Sequence, residues 1–358
     1  MANKKYKVSI YEVWPDMKQY IRSKLKGSTI KISEELLTVN NLDKDTEILT
    51  VFAASQVTKE IINSLPKLKM IATMSTGYNH INTKTAKAKK IPVCNVPVYG
   101  QNTVAEHAFA LLLGLSRKIF PSVKRVKEGS YEYDGLRGVD LQDKTIGVVG
   151  TGNIGVHLIK MAKGFGMNVV CFDAFPNKDL AKKLDFKYLT LNKLLETSDF
   201  ISLHVPLFPT TFHLINKKNI KKVKKGAYLI NTARGELIES EALLWALENG
   251  ILAGAGLDVL EEEANVKEER TILQEEKSNN KIKTTKIINI EEKIPKEKMK
   301  TMLLNEIIID HPNTIVTPHN AFNSTEALQR IIDTTVENIK SFIKGDIQND
   351  VTKPKKKR

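Results

Sequence analysis

Cysteine is nearly absent: Cys94 and Cys171 are the two that occur in 358 residues. They are too few for a disulfide framework and lack the paired spacing of a metal cluster. Both lie in apolar runs and are expected as buried thiols, which fits a reducing cytoplasm. Long hydrophobic runs are missing as well. The apolar stretch at 108–113 is far shorter than the roughly 20 residues needed to span a bilayer. The opening MANKKYKVSIYEVW has no apolar signal-peptide core, so no membrane partner is expected. Aromatic residues make up 6% of the chain and do not interleave with the basic ones, as a stacking platform for nucleic acid requires. No HExxH or matched His/Cys/carboxylate spacing is present, and no metal site is expected.

Positive charge is in surplus. Lysine and arginine total 55 against 41 acidic residues, a formal net charge of +14. Most lysines are scattered through ordinary elements, and only the closing KPKKKR is dense. Such a tail attracts phosphates weakly but brings no base-reading element. A lysine-rich solvated surface is expected, without a nucleic-acid partner.

With 41% hydrophobic residues, a chain of this length supports two cores, because single cores divide before about 300 residues. Strand-like runs at 6–11, 47–52, 70–73 and 93–95 alternate with helical stretches such as 58–64. A second series follows at 145–149, 169–172, 200–203, 227–231, 253–257 and 314–316. This alternation predicts an α/β protein: two Rossmann-like domains with mostly parallel sheets and an intervening active-site cleft. The expected division is 1–101 for the first part of a substrate domain and 102–319 for a nucleotide domain. Residues 320–346 return to the first domain, and 347–358 form a basic tail. The helix expected at 103–116 is apolar nearly all round and should be buried between layers or subunits. The mixed-charge stretch 264–310 is too long for an ordinary loop; it has room for a helix and reads as a solvent-facing excursion rather than a third functional site.

The sharpest motif is KTIGVVGTGNIG. An apolar strand enters Gly150-x-Gly152-x-x-Gly155 and a helix follows, so the amides of Asn153 and Ile154 are placed to face phosphate charge. Gly150 allows a tight turn, Gly152 lets a pyrophosphate approach, and Gly155 lets the helix pack close to the strand. Asp173 closes the next strand, about 20 residues on, where such folds place an acid that accepts from the adenosine ribose hydroxyls. Its charge opposes a 2′-phosphate, which favours NAD over NADP; it also fits a helix cap or loop charge. His204 and Pro206 sit in a compact turn that can pack on the cofactor. Asn231, Thr232 and Ala233 can line the nicotinamide side or build a structural turn.

Reduction of a 2-oxo acid needs a carboxylate clamp, polarisation of the ketone and a proton donor. Arg234, in the turn after the strand 227–231, suits the first two through its rigid, permanently charged fork. His319, in TPHNAF, suits the third because histidine titrates near 6.5. A carboxylate beside it would orient the ring and favour its charged form. Glu263 is the leading candidate, with membership of an acidic surface beside Glu261 and Glu262 as the alternative. Asp258 is another candidate partner, but better suited to facing the cofactor or supporting the turn. His80, His107, His157, His213 and His311 are expected to be structural or exposed.

Taken in order, STGYNHI, NVPVYGQNTVAEH, VGTGNIG, NTARGELI, GLDVLEEE and TPHNAF make the chain resemble the D-isomer-specific 2-hydroxyacid dehydrogenases over nearly its whole length. The resemblance implies catalytic Arg234 and His319 with Glu263 as the orienting acid. It also implies a substrate-carboxylate site of backbone amides at Thr76–Gly77, and an aromatic substrate neighbour at Tyr99 as in the D-lactate dehydrogenase branch. A homodimer formed through the nucleotide domain is implied too. The expected reaction is pyruvate to D-lactate with NADH. Glyoxylate, hydroxypyruvate or a branched 2-oxo acid is the alternative substrate, and an NAD-responsive interaction protein the alternative of a different class. Many relatives carry a proline soon after the matched glutamate, where this chain reads EEEANV.

Overall fold

The computed structural model describes residues 5–263 and 296–353. Residues 264–295 of the charged stretch and 354–358 of the basic tail lie outside them. The chain divides into two compact units, one up to Tyr99 and again from Asn323, the other Gly100–Phe322.

In the first unit, β1 (Lys7–Ile10), β2 (Thr29–Ile32), β3 (Ile48–Val51), β4 (Met70–Thr73) and β5 (Val93–Cys94) form a parallel sheet. Their order is β2-β1-β3-β4-β5. β3 and β4 are buried along their whole length, as parallel strands are when both faces are covered. The hydrophobic pattern alone gives no strand at β2. Its four residues, TIKI, are half polar and alternate between exposed and partly buried, as an edge strand does.

The helix Thr325–Ile343 belongs to this unit although it comes from the far end of the chain. Ser324 caps it by accepting from the Ala327 amide. Ile331, Ile332, Val336 and Ile339 are buried, a stripe at helical spacing. Asn338 Nδ2 donates to Asn95 O at 2.9 Å, and Val351 N–H donates to Val93 O at 2.8 Å, so both contacts reach the β5 end of the sheet.

The second unit carries β6 (Thr145–Val149), β7 (Asn168–Phe172), β8 (Lys187–Tyr188), β9 (Phe200–Leu203), β10 (Ala227–Asn231), β11 (Leu252–Leu257) and β12 (Thr314–Val316). All pairings are parallel, in the order β12-β11-β10-β9-β6-β7-β8. The chain leaves β6 on one side of the sheet and resumes at β9 on the other. Such a reversal opens a crevice beyond the carboxyl ends of the two central strands.

The helix Gln101–Ser116 is buried on most sides, as its composition predicts. Glycines bring the sheet up to it. A Cβ at Gly256 would stand 2.9 Å from Leu111 Cβ, and one at Gly254 3.1 Å from Leu115 Cδ2. Both cysteines are buried, and burial pushes each thiol up to about 12. Among the described residues, no helix is long and apolar enough to cross a membrane.

The solvent-facing placement expected of the charged stretch needs correcting for its described end. That end is the helix Lys296–Asp310. Met302, Asn305 and Ile308 are 4%, 0% and 0% exposed, and the helix packs against the helix Ser240–Glu248. These buried residues lie three apart, a stripe that the surrounding charge hides in the composition.

Candidate active site

Every candidate side chain in the second unit follows the carboxyl end of a parallel strand, where open α/β sheets hold ligands. After β6, Gly150 has φ +98°, and a Cβ there would lie 2.7 Å from His204 O. Only glycine satisfies both demands. A Cβ at Gly155 would be 2.0 Å from Gly150 O, so the third glycine sets how closely the helix Asn153–Gly164 approaches the strand. A Cβ at Gly152 would meet nothing within 4 Å. That open side lies at the cap of the helix, where no side chain accepts from the first amides. Those donors at Asn153, Ile154 and Gly155 suit an anion.

Asp173 follows β7 directly. Its Oδ2 accepts from the amide and hydroxyl of Thr151 at 2.7 and 2.9 Å, and its Oδ1 from the Phe175 amide at 2.9 Å. The carboxylate thus braces the glycine loop, while a carboxylate's roughly four acceptor positions leave room for ribose hydroxyls. After β9, His204 Nε2 lies 2.8 Å from Ser202 Oγ, and burial pushes the imidazole down to about 4. It is neutral near pH 7. Pro206 O accepts from Thr211 Oγ1 at 2.7 Å, closing the compact turn.

After β10, fully buried Asn231 builds the Arg234 turn. Its Nδ2 donates to Arg234 O at 2.8 Å and its Oδ1 accepts from the Ala233 amide at 3.0 Å. These two bonds serve the structural role open to Asn231. Arg234 Nη1 donates to Ala233 O at 2.6 Å, and the residue is partly exposed. Thr232 Oγ1 and Asn320 Oδ1 are buried without a hydrogen-bond partner. A ligand's polar groups can satisfy orphaned atoms of this kind.

Asp258, just past β11, braces the turn that carries His319. It is 1% exposed, and three donors occupy its oxygens. Thr317 Oγ1 and the Asn320 amide donate to Oδ1 at 2.5 and 2.9 Å, and the Ala321 amide to Oδ2 at 2.9 Å. This grip encloses His319, whose φ of +55° is unusual for a residue with a side chain. His107 Nε2 lies 3.0 Å from Thr317 Oγ1 and 3.5 Å from Asp258 Oδ1, so it belongs to the same cluster. Glu263 Oε1 and Oε2 lie 3.2 and 3.1 Å from His319 Nδ1. The carboxylate can only accept, so Nδ1 carries the hydrogen and Nε2 is left free of this pair. The side chains of His319 and Glu263 are 41% and 21% exposed, which leaves the imidazole open to a reactant.

A second histidine–carboxylate pair is not singled out by the sequence. His213 Nε2 lies 2.6 Å from Glu261 Oε1. Glu261 Oε2 accepts from the Ser240 amide and hydroxyl at 3.2 and 2.8 Å. Ser240 and Asn305 complete the network on the two packed helices, and Asn305 Nδ2 donates to Glu261 O at 2.6 Å. The signal in the sequence is slight: one glutamate of three in a row, and a histidine in an apolar FHLI.

In the first unit, the Thr76–Gly77 turn is fixed through its hydroxyl and carbonyls. Thr76 Oγ1 donates to Val96 O at 2.7 Å, Asn95 Nδ2 to Thr76 O at 2.8 Å and Ser75 Oγ to Gly77 O at 2.6 Å. Arg330 Nε donates to Tyr99 O, which ties that residue's backbone to the helix Thr325–Ile343. His80 Nε2 lies 3.1 Å from Thr73 Oγ1, and burial pushes the ring down to about 4. Among the described residues, no group of three or more His, Cys, Asp or Glu side chains could hold a metal ion.

Comparison with known proteins bears directly on this arrangement. Residues 109–321 match the family model described as D-isomer specific 2-hydroxyacid dehydrogenase, NAD binding domain. The D-lactate dehydrogenase of Escherichia coli is 32% identical over 346 residues, covering 95% of this chain and 98% of that protein. A glyoxylate reductase of Korarchaeum cryptofilum is 32% identical, covering 85% and 82%. The crystal structure of a D-lactate dehydrogenase from Aquifex aeolicus, complexed with NAD and lactic acid, superposes with a TM-score of 0.79. That match has 32% identity and covers 97% of this chain and 99% of the other.

Proposed function

The chain belongs to the D-isomer-specific 2-hydroxyacid dehydrogenases and interconverts a 2-oxo acid and a D-2-hydroxy acid with NAD; from that premise we propose that its substrate pair is pyruvate and D-lactate. The observation that carries the chemistry is a histidine held by both oxygens of a carboxylate, His319 and Glu263, at the carboxyl end of the sheet, where Arg234 also lies. The similarity to D-lactate dehydrogenases over nearly the full length supports the small substrate.

The glycine loop, with Gly150, Gly152, Asn153, Ile154 and Gly155, fits the pyrophosphate of NAD, and Asp173 fits its ribose. Thr232 and Ala233, beside the orphaned hydroxyl, fit the nicotinamide, with His204 and Pro206 as the wall after β9. When bound, the cofactor supplies or accepts the hydride. Arg234 clamps the substrate carboxylate and draws charge onto the ketone oxygen, using donors beyond the one given to Ala233 O. His319 delivers a proton from Nε2 while Glu263 holds Nδ1. In the reverse direction neutral Nε2 takes the proton from the hydroxyl. Amides at Thr76–Gly77 and the ring of Tyr99 are assigned to substrate.

A homodimer is the proposed assembly. The helix Ile119–Lys127 leaves Ile119, Phe120, Val123 and Val126 between 46% and 55% exposed, an apolar face suited to a second copy. A cytoplasmic setting completes the reading. Purified protein with NADH and a panel of pyruvate, glyoxylate, hydroxypyruvate and branched 2-oxo acids, followed by loss of NADH absorbance, tests it. Fastest turnover on pyruvate is expected. Preference for glyoxylate would move the chain towards the Korarchaeum relative, and tight NADH binding without any turnover would leave an NAD-responsive interaction protein.

A further inference from the structure

Glu263 and His319 are both partly exposed, and a pair open to water does not fix its own geometry. Something must aim Glu263. Two anchors on the backbone between β11 and Glu263 bear on its aim. Asp258 is the first, locked to the His319 turn. Glu261 is the second, and its ties run elsewhere. Its carboxylate accepts from His213 on the loop after β9 and from Ser240 at the start of the helix Ser240–Glu248. Its carbonyl accepts from Asn305 on the helix Lys296–Asp310. The next residue, Glu262, has φ +52°, a left-handed turn that an ordinary side chain resists. That turn sets the direction in which the chain presents Glu263.

The same anchor reaches the Arg234 turn. A Cβ at Gly235 would lie 2.0 Å from the Leu260 carbonyl carbon and 2.3 Å from the Glu261 amide nitrogen, so the two backbones are in direct contact. The His213 amide donates to Glu236 O at 2.8 Å, and Ile215 pairs with Ile238 in a parallel bridge. Glu261 therefore sits where the segment carrying Arg234 and the segment carrying Glu263 meet.

We propose that Glu261, held by His213, is a positioning residue for the reaction: it fixes the left-handed turn at Glu262 and thereby the hold of Glu263 on His319. It touches neither substrate nor cofactor. This rests on Glu263 and His319 being the acid–base pair. Glu261→Gln removes the charge and one acceptor with almost no change in volume, and His213→Gln removes the partner while keeping a donor.

The test is the pH profile of pyruvate reduction for wild type, E261Q, H213Q, E263Q and the double variant E261Q/E263Q, with NADH titration of each. E261Q is expected to lower kcat about 10-fold, a fraction of what an acid–base group contributes, with NADH affinity within about twofold of wild type. Its high-pH limb should move to lower pH by less than that of E263Q, and the double variant should move no further than E263Q alone. H213Q should follow E261Q in a milder form. If E263Q shifts the limb while E261Q and H213Q superpose on wild type, or if the two glutamate changes add fully, the positioning role is overturned and the acid–base pair stands. If E263Q itself superposes on wild type, both are overturned.

Discussion

Two histidine–glutamate pairs lie on the second unit, and they differ in what surrounds them. His213 and Glu261 are 28% and 12% exposed in their side chains, 2.6 Å apart and tied into a closed network of serine and asparagine. His319 and Glu263 are 41% and 21% exposed, with contacts of 3.1 and 3.2 Å. Both histidines adopt positive φ, +48° and +55°, at a cost on the order of 1–3 kcal/mol each. In each case neighbouring bonds enforce the strained backbone. At His213 these include the amide bond to Glu236 O, and at His319 the three donors gathered on Asp258. The same two side chains make a structural clamp where the carboxylate is also held by serine, and the pair proposed to react is the one with the more exposed imidazole.

The most decisive way to break this comparison is to replace each histidine in turn. His319→Gln should lower kcat by about 10²–10⁴-fold, the usual contribution of a general acid–base group, with NADH affinity kept. His213→Gln should cost far less activity and more thermal stability. Steady-state kinetics and calorimetry on both variants read the contrast, and equal kinetic losses would erase it. Arg234→Ala comes next. Loss of the charged clamp should lower kcat/KM by roughly 10²–10³-fold while NADH titration stays near wild type; wild-type efficiency would remove Arg234 from the site.

Asp173 sharpens the comparison from the cofactor side, because it too braces a loop and is proposed to meet a ligand. Asp173→Ala should narrow the preference for NADH over NADPH to within about 10-fold, since the charge opposing a 2′-phosphate is gone. Competing titrations with the two reduced cofactors measure it, and an unchanged ratio would reduce Asp173 to a loop brace.

The smallest effect is on stability in acid. Burial holds His80 and His204 at about 4 in the fold, below the 6.5 of an unfolded histidine. As pH falls below 6.5 the unfolded chain binds protons that the folded chain refuses, so stability drops through the window down to about 4 and is regained on raising the pH. With one such histidine in each unit, His204→Asn should flatten the dependence only in part. Melting curves across that window check it, and a melting temperature that rises on acidification would contradict the assignment.

Much of the site is legible in the amino-acid sequence. The glycine loop, the strand ends after β7, β10 and β12, and Arg234 and His319 can be placed because each belongs to a short local pattern. Their support cannot. Asp258 reads as a cofactor neighbour or a brace, and only the fold brings up the donors from residues 317–321 that make it a brace. His107 joins that cluster from a helix some 200 residues earlier in sequence, a link no spacing encodes. The helix Lys296–Asp310 reads as part of a charged excursion because its buried stripe is narrow.

The sequence by itself determined most of the strands, the cofactor motif and the candidate residue types, because periodicity, glycine backbone freedom and side-chain chemistry act over a few residues. Tertiary structure alone decided which glutamate meets which histidine. Three consecutive glutamates are chemically identical in the sequence, and the left-handed turn at Glu262, fixed by contacts from four separate segments, sends Glu261 into the core network and Glu263 to His319.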